Sequence, residues 1–302
     1  MVHHRARIRP LWIVTAAAAV AAALGAASFQ ATAAATGAPP EPPRGAYVAL
    51  GDSYTAGPGV PVQRPDTGIC ARSGANYPAL VAQAVQPTEF RDVSCSGAVT
   101  GNVTGPMFGV PPQVDALSAD TTLVTLGIGG NDAGFAPSVA TCVVLSLLDQ
   151  DGAPCAAHFT GDGVDRLAQA VDDVGPKVGA VLTEVRRRAP RATVLLVGYP
   201  SLLPESKADC AVFQPIAAGD VPYLRSLNQR LNQVLADQAA AAGAVFVDTF
   251  TSSEGHDGCQ APGVRFVEGV LGAEGAAPVH PNAAGMRDMA DQVLAALDAP
   301  AR

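Results

Sequence analysis

The stretch Tyr47-Val48-Ala49-Leu50-Gly51-Asp52-Ser53-Tyr54-Thr55-Ala56-Gly57 constrains this chain more than any other. Four residues of strand character run into Gly51, and Ser53 follows two residues later. A turn that tight needs the backbone freedom of glycine. A short uncharged strand ending in such a turn suits an α/β sheet, in which ligands bind at the C-terminal strand edge. A serine there faces a crevice and can act as a nucleophile when a base lies nearby. Alone, the same stretch is also compatible with an ordinary strand-to-loop turn.

The remaining chain repeats the pattern. Strands are expected over 90–95, Thr121–Gly127, 193–198 and 244–248, and the uncharged run at Thr121–Gly127 has the character of a buried parallel strand. Helices are expected over 77–84, 164–188 and 223–242, with a short approach segment at 114–117 and loop plus helix over 138–160. Leu167, Val171, Val174, Val178, Val181, Leu182 and Val185 recur near helical spacing. Strands alternating with helices imply an α/β fold with a mostly parallel sheet covered on both faces. No internal repeat or second composition regime follows Gly45, so residues 46–302 are expected to form one domain.

The N-terminus reads as a secretory signal over residues 1–35. Arg5, Arg7 and Arg9 precede an apolar run from Leu11 to about Ala27, and Ala31-Thr32-Ala33 and Ala33-Ala34-Ala35 offer small-x-small cleavage sites. An uncleaved membrane anchor is the competing reading, disfavoured because the run is Ala-rich and only weakly apolar. No later stretch is long enough to span a bilayer. Residues 36–45, with Pro39, Pro40, Pro42 and Pro43, form a stiff linker. The expected mature protein is therefore extracellular, without a stable membrane anchor, and monomeric. The whole chain carries a formal net charge of −8, and loss of the three signal arginines makes it more acidic still. Such a body argues against nucleic-acid partners, so Arg186, Arg187 and Arg188 read as a solvated helix end.

Six cysteines remain after the signal: Cys70, Cys95, Cys142, Cys155, Cys210 and Cys259. An even number in an exported chain points to three disulfides. Fifteen pairings are open, and sequential pairing is the simplest. Neither CxxC spacing nor a suitably placed histidine suggests a metal cluster.

Four segments fall at expected strand ends or just before a helix: Gly51-Asp52-Ser53, Ser96-Gly97, Gly129-Gly130-Asn131-Asp132 and His280-Pro281-Asn282. Acyl transfer needs a nucleophile, a base and donors for an oxyanion. Ser53 can supply the first and His280 the second. The backbone N–H groups of Ser53 and Gly97 and the Asn131 amide can supply the third. In order and spacing these blocks resemble those of the SGNH, or GDSL-type, hydrolases, and in particular the secreted bacterial lipases and esterases with three disulfides. The similarity runs from about Tyr47 to the final helix. It implies a flavodoxin-like three-layer α/β/α fold, no metal and no cofactor, and the pairs Cys70–Cys95, Cys142–Cys155 and Cys210–Cys259. It matches Ser53 to the nucleophile, Gly97 and Asn131 to oxyanion donors, and His280 to the base. Asp52 and Asp132 match loop-bracing positions, and Asn282 is expected to cap the last helix.

One position departs from the family pattern. The family usually carries Asp three residues before the histidine, and here that residue is Ala277. The expectation is a dyad whose histidine is oriented by the Ala277 backbone carbonyl, with Glu274 or Asp257 as rival acids. His256 is the rival base, and His158 reads as a surface residue. Gly-x-Ser-x-Gly, HExxH and Walker A sequences are absent, and the loop at Gly127 lacks the third glycine of a dinucleotide site. The expected function is hydrolysis of small-molecule or lipid acyl esters, as lipase, phospholipase A or esterase. A carbohydrate O-acetyl esterase is the alternative, disfavoured by only 5% aromatic residues. A non-catalytic binding module is a further alternative, disfavoured because Ser53, Gly97, Asn131 and His280 are all present.

Overall fold

The structure is a computed structural model and describes residues 45–299. The expected signal segment and all of the expected linker except Gly45 lie outside the described residues. Five strands form the sheet: β1 (Ala46–Gly51), β2 (Glu89–Asp92), β3 (Thr121–Gly127), β4 (Thr193–Val197) and β5 (Val245–Val247). Nine α-helices accompany them among the described residues: α1 (Ser53–Ala56), α2 (Tyr77–Val85), α3 (Thr100–Thr104), α4 (Phe135–Ser146), α5 (Pro154–Thr160), α6 (Arg166–Asp172), α7 (Val174–Arg188), α8 (Asp220–Ala241) and α9 (Ala283–Asp298).

Every strand pair is parallel, and the spatial order is β2-β1-β3-β4-β5. The alternation of side chains along each strand explains the two covering layers. Tyr47 and Ala49 of β1 and Leu195 and Val197 of β4 pack toward Val81, Met286 and Val293 of α2 and α9. Val48, Leu50, Val194 and Leu196 point the other way, onto Val178, Leu182, Leu231 and Leu235 of α7 and α8. The result is the three-layer α/β/α arrangement. The chain leaves β1 for β2 on one side and returns to place β3 on the other, so the crevice at the C-terminal ends of β1 and β3 is a topological switch point.

The three disulfides join Cys70 to Cys95, Cys142 to Cys155 and Cys210 to Cys259. The helix expected over 164–188 is two helices, α6 and α7, meeting at Asp173. The cause is Pro176, whose ring excludes an uninterrupted helix through residue 172, four positions back. The strand expected to reach Cys95 stops at Asp92, where the Asp92 carboxylate accepts the Ser94 N–H at 3.0 Å and the Ser94 hydroxyl at 2.6 Å. The backbone still tracks β1, because the N–H groups of Val93 and Cys95 donate to the carbonyls of Ala49 and Gly51 at 3.0 and 2.9 Å.

Candidate active site

The turn after β1 is built around Gly51. Its φ of +148° is one that glycine adopts readily, and a Cβ there would lie 2.3 Å from Thr55 Oγ1 and 2.5 Å from the Gly127 carbonyl oxygen. Gln113, almost fully buried, grips the same peptide: its amide accepts the Gly51 N–H at 2.7 Å and donates to the Gly51 carbonyl at 2.9 Å. Asp52 caps the short helix α1 by accepting the Tyr54 N–H at 2.9 Å. Ser53 is thus the first residue of a capped turn with an immobilised backbone. Its own N–H, like that of Gly97, donates to no protein acceptor among the described residues.

Asp52 is 1% exposed, and its other oxygen accepts the Tyr199 hydroxyl at 2.5 Å. Burial pushes its carboxyl up to about 7, against the opposing pull of the Tyr199 and Tyr54 hydrogen bonds. Tyr199 in turn accepts the Gly130 N–H at 2.8 Å. The pair Asp52–Tyr199 therefore ties the turn after β1 to the loop after β3.

That loop carries Asn131. Its Nδ2 donates to the Ala98 carbonyl at 2.9 Å, which leaves the second amide hydrogen available to another acceptor. Asp132 accepts the Thr100 N–H at 2.9 Å and the Thr100 hydroxyl at 2.6 Å. These bonds lash the loop after β3 to the one after β2, which holds Gly97 at φ +81°. Asp52 and Asp132 thus brace loops.

His280 arrives from the long segment between β5 and α9. Its Nε2 lies 2.8 Å from Ser53 Oγ, and its Nδ1 lies 2.8 Å from the Pro278 carbonyl oxygen. A carbonyl only accepts, so Nδ1 carries the hydrogen and Nε2 is the free acceptor facing the serine. The orienting carbonyl is therefore that of Pro278, not of Ala277 as the sequence suggested. Residues 277–280 form a tight turn in which the Ala277 carbonyl is taken by the His280 backbone N–H at 3.2 Å. Val279 sits at φ +61° in this turn, and the Pro278 carbonyl is the one presented to the ring.

The segment is pinned to α1 and to its own base. Tyr54 donates its hydroxyl to the Val279 carbonyl at 2.5 Å, and its ring lies 5.0 Å from the imidazole. The Ala277 N–H donates to the Pro58 carbonyl at 2.9 Å. Beneath lies an ion pair between Arg265 and Glu268, each 3% exposed. Asn282 joins Glu268 to the last helix: it donates to Glu268 Oε1 at 3.1 Å and caps α9 by accepting the N–H groups of Ala284 and Gly285. Burial of the ring holds the His280 pKa below the ordinary value, partly offset by the Pro278 hydrogen bond.

Neither rival acid is hydrogen-bonded to the ring. Asp257 is buried and accepts the Cys259 N–H at 2.9 Å, while Glu274 is exposed. The rival base His256 is engaged elsewhere: Nδ1 binds the Val264 carbonyl, and the ring stacks on Phe266 at 4.0 Å. Ser53, Asn131 and His280 share the wall of a cavity of about 540 Å³, otherwise mostly aliphatic, with Val143, Leu167, Ile216 and Leu231 among its lining. Gly97 is not part of that wall; it is exposed beside it. Sequence reasoning gave no role to Tyr54, Gln113, Tyr199, Arg265 or Glu268. Only Tyr54, adjacent to Ser53, offered any local signal.

A serine held against a neutral imidazole at the edge of a parallel sheet, beside an amide donor and an apolar cavity, defines a serine-type ester hydrolase of α/β/α fold. The model of the GDSL-like Lipase/Acylhydrolase family matches residues 49–287, and the chain belongs to that family. It is 42% identical over 252 residues to Lipase 2 of Streptomyces coelicolor, covering 82% of this chain and 84% of that protein. Two solved structures are also similar. Phospholipase A1 from Streptomyces albidoflavus NA297 has a TM-score of 0.70 and 32% identity, over 84% of this chain and 99% of the other. An extracellular lipase from Streptomyces rimosus has a TM-score of 0.69 and 31% identity, over 83% of this chain and 99% of the other. The chain is a carboxylic ester hydrolase.

Proposed function

We propose that this hydrolase is exported and cleaves lipid acyl esters through a Ser53–His280 dyad. His280 Nε2 takes the Ser53 proton as Oγ attacks the ester carbonyl. The tetrahedral oxyanion meets the N–H groups of Ser53 and Gly97 and the free amide hydrogen of Asn131. His280 returns its proton to the departing alcohol, and a water activated by the same nitrogen then releases the acyl group from Ser53. The Pro278 carbonyl keeps the ring in the tautomer this sequence requires. The observation that carries the reading is the 2.8 Å contact between Nε2 and Oγ, with Nδ1 committed to a carbonyl.

The acyl chain lies in the aliphatic cavity, where each buried methylene contributes about 0.8 kcal/mol. That lining favours a fatty acyl group over an acetyl group on a sugar. Export rests on the reading of residues 1–35 and on the likeness to a lipase described as extracellular. The test is Ser53→Ala. It should abolish hydrolysis of nitrophenyl esters while leaving the melting temperature near that of the parent, and parental rates should rise from acetyl to longer acyl chains. An unchanged rate in the variant would remove Ser53 as nucleophile.

A further inference from the structure

Helix α4 is unusual for an exposed helix. From Phe135 to Leu148, which includes the turn that closes it, there is no charged residue. A contiguous apolar face left in water marks a site of contact with another apolar surface. Here Val144, Leu147 and Leu148 are 61%, 66% and 84% exposed. Their spacing places them on one face, and Ala136, Pro137 and Ala140, also exposed, continue that stripe toward the helix start.

The stripe adjoins the catalytic cavity. Ala136, Ala140 and Val144 are exposed to solvent and also line it, so the cavity opens beside them. Near another part of the same lining, Gln214 accepts the Leu271 N–H at 3.1 Å. The neighbours of that pair, Phe213 at 64% and Leu271 itself at 50%, are exposed as well. On the other side of the helix, the Cys142–Cys155 disulfide and the buried cluster with Ile216 and Val221 hold α4 in place. The stripe is therefore a fixed apolar surface continuous with the cavity.

We propose that the α4 stripe, with Phe213 and Leu271, is the surface by which the enzyme docks on an electrically neutral lipid–water interface. This rests on the lipid-ester reading above. A fatty ester held in a neutral lipid layer can then pass into the cavity without crossing water. The acidic chain argues against attraction to an anionic surface, and an uncharged helix docks by desolvation, which salt does not screen. A protein partner or second copy seated here would cover the cavity opening.

The test uses catalytically silent protein. Ser53→Ala protein, with and without Leu147→Asp and Leu148→Asp, is floated with phosphatidylcholine vesicles and with phosphatidylglycerol vesicles. The Ser53→Ala parent should float with phosphatidylcholine at low and high salt, and the aspartates should lower the bound fraction by about tenfold. Equal flotation of both proteins, flotation of neither, or binding confined to phosphatidylglycerol at low salt would overturn the proposal. So would a dimer mass in solution that the aspartates reduce to that of a monomer. With Ser53 intact, the aspartate variant should cleave soluble nitrophenyl butyrate within about twofold of the parent. On emulsified triglyceride its rate should fall by about tenfold, and equal emulsion rates would count against docking. Should the parent float and cleave no ester, the hydrolase reading would fail while the docking surface stood.

Discussion

The Ser53 turn and the histidine segment meet where Ser53 Oγ lies 2.8 Å from His280 Nε2 and Tyr54 reaches the Val279 carbonyl, but they are held in different ways. Ser53 is fixed by its immediate neighbours. Gly51 makes the turn, Asp52 caps it, and two long-range clamps hold these neighbours, Gln113 on Gly51 and Tyr199 on Asp52. His280 lies 227 residues further on. Its segment depends on the distant Tyr54 and Pro58 and on a buried ion pair. A strand end positions a side chain through its own backbone, whereas a loop must be positioned by others. Damage near Ser53 should therefore appear in turnover, and damage beneath His280 should appear in stability as well.

Substitutions can break or sharpen that contrast. The largest effect is expected at Asn131, on the strand-end side. Losing one oxyanion donor typically costs about 10²–10³ in turnover. Asn131→Ala should show a drop of that order in kcat with a melting temperature close to the parent's. Because its amide also donates to the Ala98 carbonyl, an unfolded variant would move Asn131 from chemistry to structure.

Next comes Glu268→Gln, beneath the histidine. It leaves Arg265 charged, buried and without its ionic partner, and breaking such a pair destabilises by about 3–5 kcal/mol. The melting temperature should fall on the order of 10 °C. A thermal scan matching the parent, with activity retained, would mean that the segment does not depend on the pair.

A smaller effect is expected for Tyr54→Phe, which keeps the ring against His280 and deletes the bond to the Val279 carbonyl. One hydrogen bond of this kind contributes about 1 kcal/mol. The expected result is a fall in kcat of up to about tenfold with KM unchanged. A change in KM alone would show that Tyr54 acts on substrate binding instead.

The smallest effect is a displacement along the pH axis. Burial holds His280 below the ordinary histidine value of about 6.5. The base therefore stays unprotonated to lower pH, and the acid limb of kcat/KM should be centred below 6.5, activity falling as pH drops through it. Asp52 titrates near 7 in its buried site. A limb centred there, and abolished in Asp52→Asn, would assign the pH dependence to the brace and not to the base.

The central strands were readable because their patterns are local. Thr121–Gly127 is an uncharged run bounded by glycine, and its predicted limits are those of β3. The expected helix 164–188 failed at a residue also visible in the sequence, Pro176, because the apolar spacing continues across the break. The candidate site divides in the same way. Ser53, Asn131 and His280 could be picked out because their short blocks are contiguous and resemble a family pattern. Ala277 announced that the usual acid was missing, but the carbonyl that faces the ring belongs to its neighbour, Pro278. The direction of a carbonyl is set by turn dihedrals, and residue identity only weakly determines those.

Determined by sequence alone were the alternation of strand and helix, the even cysteine count, and a serine, an asparagine and a histidine in blocks of family spacing. These depend on chemistry within a few residues, or on likeness to other chains. Tertiary structure alone decided that Tyr54 reaches Val279, that Tyr199 links the loops after β1 and β3, and that Glu268 and Arg265 are buried together under the histidine. It also decided that an uncharged helix stands exposed beside the cavity. For Tyr54 and Val279, 225 residues apart, and for Tyr199 and Asp52, 147 apart, the physical reason is distance along the chain, which only the closing of the sheet and its helices overcomes; for Arg265 and Glu268, three residues apart, it is burial, which the packing of other segments imposes.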